Sequence, residues 1–157
     1  MKEILIAVDY DLAAQKIAET GYSIGKALGA HITLLHVVVD AAHYYTTEYS
    51  PVMGFTGFSA QNFETEIEEI KETASGFLEN VKEHLKDATI DLLVKEGNAA
   101  KMIRETAKEI KADMIIMASH GRKGLEKILV GSVSEEVLHH TSIPLLIIPT
   151  PLSLEKE

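Results

Sequence analysis

Cysteine is missing from all 157 residues, which removes disulfides, thiolate metal centres and a cysteine nucleophile. Long hydrophobic runs are missing too. The first apolar block, Ile4 to Val8, is too short for a signal-peptide core or a membrane span, so a cytoplasmic protein is expected. Positive charge is scarce: 15 Lys and Arg face 24 Asp and Glu, for a net charge of −9. A nucleic-acid scaffold or a binder of anionic membranes usually carries a basic face, so neither partner is expected. The seven histidines form no H-E-x-x-H or other metal spacing. No internal repeat or low-complexity tract divides the chain. What is present, 46% hydrophobic and 25% charged residues, suits one soluble domain over residues 1–150 with a frayed tail at 151–157.

The apolar pattern alternates between short continuous blocks and helical periods. Ile4–Val8, His31–Val39, Ile90–Val94, Met114–Ala118 and Leu145–Ile148 read as strands buried on both faces. Between them, helical spacing recurs from Leu12 to Leu28, Phe63 to Asp87, Asn98 to Ile110 and Val133 to Thr141. Asp11 and Asn98 are N-cap candidates, and Gly29 a helix stop. Residues 40–62, with Tyr44, Tyr45, Tyr49, Phe55 and Phe58, read as a long irregular loop, functional or mobile. Strands alternating with helices predict a doubly wound α/β domain, a five-stranded parallel sheet between helical layers. Ligands in such sheets bind past the strands' carboxyl ends, where strand order reverses. Those ends carry Asp9, Val37–Asp40, Glu96-Gly97 and Ser119–Gly121.

One of these ends is chemically distinctive. Met114–Ala118 leads into a loop with Gly121 and Gly124, and Gly131-Ser132 opens a helix through Val133 and Ser134. Strand, glycine loop and helix start are the parts of a phosphate cradle: unpaired N–H groups, the positive end of the helix dipole, and no Cβ to block an anion. His120, Arg122, Lys123 and Lys127 surround the loop, opposed only by Glu126, and nearby cations favour phosphate. The pattern is neither G-x-G-x-x-G nor the P-loop. Ser132 with Glu135 also fits a capping box, so a plain capped loop is an equally good reading at this level.

The whole span from Ile4 to Pro149 resembles the universal stress protein family. Its nucleotide-binding members carry G-x2-G-x9-G-[ST] after the fourth strand. Gly121, nine residues and Gly131-Ser132 reproduce the latter part of that pattern, while the first glycine falls on Ala118. Ile6-Ala-Val-Asp9, Leu34-Leu-His-Val37, Gly97-Asn-Ala-Ala100 and Pro144–Pro149 are family-like as well. The resemblance implies a Rossmann-like fold that binds ATP, ADP or AMP, with Asp9 at the adenine and the Val37 backbone at its edge. It implies Gly121 and Gly131 amides at the ribose-phosphate, and hydroxyls of Ser132 and Ser134 at phosphate oxygens. It also implies a homodimer built around the last strand, whose open edge invites pairing. Asp11, beside the anion site, either weakens binding or helps hold Mg²⁺.

Two rival folds fail on their chemistry. A response-regulator receiver needs an Asp ending strand three and a Lys ending strand five, where this chain has Val94-Lys-Glu96 and Ile147-Ile-Pro149. A flavodoxin needs a phosphate loop after strand one, and Asp9-Tyr-Asp-Leu12 is none. No base placed for water attack is legible, so any ATP hydrolysis is expected to be slow. The expected function is a nucleotide-dependent stress switch or sensor. The alternative is a nucleotide-independent dimer that engages an unknown protein partner through residues 40–62.

Overall fold

Five apolar blocks become the five strands of one sheet. The computed structural model describes residues 1–10, 13–39, 60–119 and 131–150, with backbone only for 60–65. The strands are β1 (Glu3–Ala7), β2 (His31–Val39), β3 (Asp91–Gly97), β4 (Met114–Ala118) and β5 (Leu145–Ile148). All neighbouring pairs are parallel and the order is β3-β2-β1-β4-β5. Four helices stand among the described residues: α1 (Ala14–Ala27), α2 (Ala60–Leu85), α3 (Ala99–Glu109) and α4 (Ser132–His140).

Each central strand buries both faces, which is why its sequence is continuously apolar rather than alternating. Ile4 and Ile6 of β1 join Leu34 and Ile116 against Ile17 of α1 and Leu78 of α2. Leu5, one residue out of phase, joins Leu35 and Ile115 against Ile103 of α3 and Val137 of α4. The expected doubly wound sandwich is therefore the fold. None of the described helices is long and apolar enough to cross a membrane.

Several local expectations shift. β1 starts and ends one residue earlier than Ile4–Val8, although Val8 N–H still donates to Leu35 O at 2.9 Å. β3 runs three residues beyond Val94, because Lys95, Glu96 and Gly97 pair with Val37, Val38 and Val39. An edge strand accepts polar residues there: Lys95 reaches Glu109 at 3.3 Å and Glu96 reaches Lys71 at 3.1 Å. The first helix has Ala13 at its N-cap with no side-chain cap, not Asp11, which lies outside the described residues. Asn98 does cap α3, accepting Lys101 N–H at 2.9 Å. The stop at Gly29 holds: with φ +65° it closes a Schellman motif, Gly29 N–H to Lys26 O and Ala30 N–H to Gly25 O. The long helix starts at Ala60, three residues before Phe63, and ends at Leu85.

Candidate functional site

The strand order reverses between β1 and β4, the two central strands whose crossovers run in opposite directions. The crevice between their carboxyl ends is where this topology leaves room for a ligand. Their register pairs Ile4 with Met114 and Ile6 with Ile116, and its continuation sets Val8 beside Ala118. Asp9 and Ser119 thus leave the sheet from adjacent strand ends.

On the β1 side, Asp9 is exposed and its carboxylate accepts the Tyr10 N–H at 2.7 Å. His36, 4% exposed, lies with Nδ1 2.9 Å from the carbonyl of Val8. Because a carbonyl can only accept, Nδ1 carries the proton. The Tyr10 ring stands edge-on to His36 at 4.4 Å and tilts against Phe77 of α2 at 4.6 Å. His36 is a satisfied core histidine, and its bond to Val8 holds the turn that presents Asp9. Val37 is half-buried. Leu35 O faces β1, and backbone groups alternate edges along a strand, so the Val37 N–H and C=O face the same side. They do so past the last rung that the described residues of β1 supply.

On the β4 side, Ala118 is half-buried, with its methyl packed into the cluster that contains Ile116 and Ile148. Its carbonyl accepts the Ser134 hydroxyl at 2.7 Å. Ser119, 5% exposed, receives Thr150 N–H on Oγ at 3.0 Å. The Ser119 carbonyl accepts the N–H of Gly131. His120, Gly121, Arg122 and Gly124 lie outside the described residues, as do residues 40–59 and 151–157.

The helix start differs from the capping box. Gly131 is the N-cap, extended at φ −67° and ψ 161°, and Ser132 is the first helical residue. The first intrahelical bond is Glu135 N–H to Gly131 O at 2.9 Å. Glu135 therefore sits one position too late to complete the box, and its carboxylate lies 3.7 Å from His139. A glycine cap has no side chain to satisfy the first turn, and among the described residues none caps it. The N–H groups of Ser132, Val133 and Ser134 precede the first intrahelical bond and carry the positive end of the dipole. The Gly131 N–H donates to Ser119 O, and the Ser134 hydroxyl, 2% exposed, donates to Ala118 O. The Ser132 side chain is exposed.

Two carboxylates with lowered ionisation lie at the other end of the sheet. The carboxyl of Asp87 is held far below its usual range by the Thr89 hydroxyl and N–H and by Tyr22. Asp113 is lowered by the N–H groups of Lys2 and Glu3. These carboxylates staple turns before strands; they are structural rather than catalytic. Among the described residues no three His, Asp or Glu side chains gather to hold a metal.

A doubly wound parallel domain with the start of α4 tied to the carboxyl end of β4 defines the class, and comparison with known proteins gives the family. The profile of the universal stress protein family matches residues 1–149. Universal stress protein MJ0577 of Methanocaldococcus jannaschii is 31% identical over 153 residues, covering 94% of each chain. Universal stress protein YxiE of Bacillus subtilis is 30% identical, covering 93% of this chain and 97% of its own. The solved structure of MJ0577 superimposes with a TM-score of 0.74 at 25% identity over 96% of both chains. A universal stress protein solved in complex with cAMP matches in fold, with a TM-score of 0.62 at 16% identity over 94% of this chain. The chain belongs to the universal stress protein family.

Proposed function

We propose that this protein binds an adenine nucleotide at the β1–β4 crevice and acts as a nucleotide-dependent stress-response switch or sensor. One observation carries the proposal. Three successive amides, Ser132, Val133 and Ser134, open α4 behind a glycine cap that offers no side chain to cover them. Such a helix start favours an anion, and it stands beside the strand end that carries Asp9. Asp9 and the Val37 backbone suit the adenine edge. Those three amides, with His120, Gly121, Arg122 and Gly124 from the intervening segment, suit the ribose and phosphates. The cAMP complex of a relative with the same fold supports an adenine ligand.

ATP is the form proposed, with ADP and AMP as alternatives. Mg²⁺ would arrive with the triphosphate and take its ligands chiefly from phosphate oxygens. No described side chain stands as a base for water attack, so ATP turnover is proposed to be slow. The cytoplasm is the proposed location.

A specific observation favours dimerisation beside this reading. β5 is an edge strand of four apolar residues, Leu145–Ile148, three of them only half-buried. Pairing across a two-fold axis would cover it. The test is competition of ATP, GTP and adenosine for the purified protein. Tighter ATP than GTP binding supports the adenine site. Absence of both leaves the dimeric interaction module, with its protein partner, as the function.

A further inference from the structure

Ser134 occupies an unusual position for a hydroxyl. α4 has nine residues, of which only Ser134 and Val137 are buried. They are one turn apart and both face the sheet. Val137 is fully covered and belongs to the apolar cluster beneath α3 and α4. An apolar side chain at residue 134 would serve the packing equally well, because burying a hydroxyl is unfavourable unless it is bonded. Here it is bonded, to the carbonyl of Ala118 at 2.7 Å, across 16 positions of sequence.

A second fastening lies alongside. Gly131 N–H donates to Ser119 O, so the cap residue is tied to the residue after β4. Ser119 is tied in turn to the end of β5, through Thr150 N–H at 3.0 Å and the Thr150 hydroxyl at 3.3 Å. A helix of nine residues is marginal by itself and takes its orientation from such contacts. The two fastenings hold the first turn of α4 against the ends of β4 and β5, whatever course residues 120–130 take between them.

We infer that Ser134 is a positioning residue for the phosphate cradle. Its buried hydroxyl, bonded to the Ala118 carbonyl, aims the first-turn amides of α4 into the β1–β4 crevice, and the hydroxyl itself does not touch the ligand. The inference rests on the reading that those amides receive phosphate. Without the bond, Val137 still holds the helix on the sheet, but the first turn is free to tilt. An amide cradle loses strength steeply when its donors are displaced, since hydrogen bonds weaken with distance and angle.

The test compares Ser134→Ala with the parent chain in three measurements: ATP affinity, adenosine affinity and hydrogen exchange at the Glu135 amide, whose bond to Gly131 O closes the first turn. The expected result is ATP binding weaker by about tenfold, equivalent to about 1.4 kcal/mol, with adenosine affinity unchanged and faster exchange in the first turn. A merely structural hydroxyl would weaken both ligands alike or neither, and either outcome overturns the inference. Should the parent chain bind neither ligand, the nucleotide reading fails, and unchanged exchange in Ser134→Ala would then overturn the anchor as well. Ser134→Cys, similar in volume with a weaker donor, gives the same comparison if alanine impairs folding.

Discussion

His36 Nδ1 lies 2.9 Å from the carbonyl of Val8, so a side chain of β2 holds the carboxyl end of β1 in place. The bond is buried and capped by the rings of Tyr10 and Phe77. His36→Ala removes the side chain that bonds that carbonyl and leaves a gap under both rings. The expected loss of stability is about 2–4 kcal/mol, read as a lower urea midpoint. His36→Asn retains a donor near Nδ1 and should lose less.

Glycines in two helices should respond oppositely to alanine. A Cβ on Gly25 would meet Ile32 Cδ1 at 2.8 Å and Cγ1 at 3.0 Å, where α1 packs closely on the sheet. A Cβ on Gly76 of α2 meets nothing within 4 Å. Helix propensity favours alanine by up to about 1 kcal/mol at either site. Overpacking costs about 1–3 kcal/mol only at the first. Gly76→Ala should therefore raise the melting temperature and Gly25→Ala lower it.

The amino ends of the strands carry a pH dependence of known sign. Burial pulls the His31 imidazole down, but the hydrogen bond and charge of Glu3, the Thr89 carbonyl and Asp91 together outweigh it. The net shift is upward from 6.5. Folding thus favours the protonated form, and this contribution is complete below pH 6.5 and lost as pH rises through the raised folded value. Asp113 behaves oppositely: lowered from 3.8 by the Lys2 and Glu3 amides, it stabilises above that pH and fails as pH falls through its folded value. Denaturation of the parent chain and Glu3→Gln on both sides of pH 6.5 checks the first, because the variant should lose the His31 component.

Gly131→Val should abolish ATP binding and leave the fold intact. The residue is extended, at φ −67° and ψ 161°, a conformation valine adopts without strain. The added branches introduce bulk at the N-cap, next to the first-turn amides of α4. Asp9→Ala should reduce preference for adenine over guanine more than it reduces phosphate binding. Titration with ATP and GTP measures both variants; unchanged ATP affinity in Gly131→Val would contradict the cradle.

The fold was legible because burial on both faces leaves strands such as Ile4–Val8 and Met114–Ala118 uninterrupted, while helices keep their period. The apolar block that marks β3 stops at Val94, whereas the strand continues through Lys95 and Glu96, which its edge position and the pairing with β2 keep in the sheet. At the site, Gly131-Ser132 correctly marked a helix start, but the capping box was wrong by one residue. The reason is non-local: the Gly131 N–H bonds to Ser119 and begins the helix one residue after the glycine. The same holds for Ser134, whose partner lies 16 positions away, and for Ser119, tied to Thr150 at a separation of 31. Spacing marks the helix start; it does not say which hydroxyls bond within the protein.

The most direct measurement of the central claim is mass spectrometry of small molecules released from freshly purified protein, followed by ATP titration calorimetry with and without Mg²⁺. The account predicts a co-purified adenine nucleotide, or ATP binding in the micromolar range (about −8 kcal/mol). Release of no nucleotide, together with no heat on adding ATP in either condition, would contradict it.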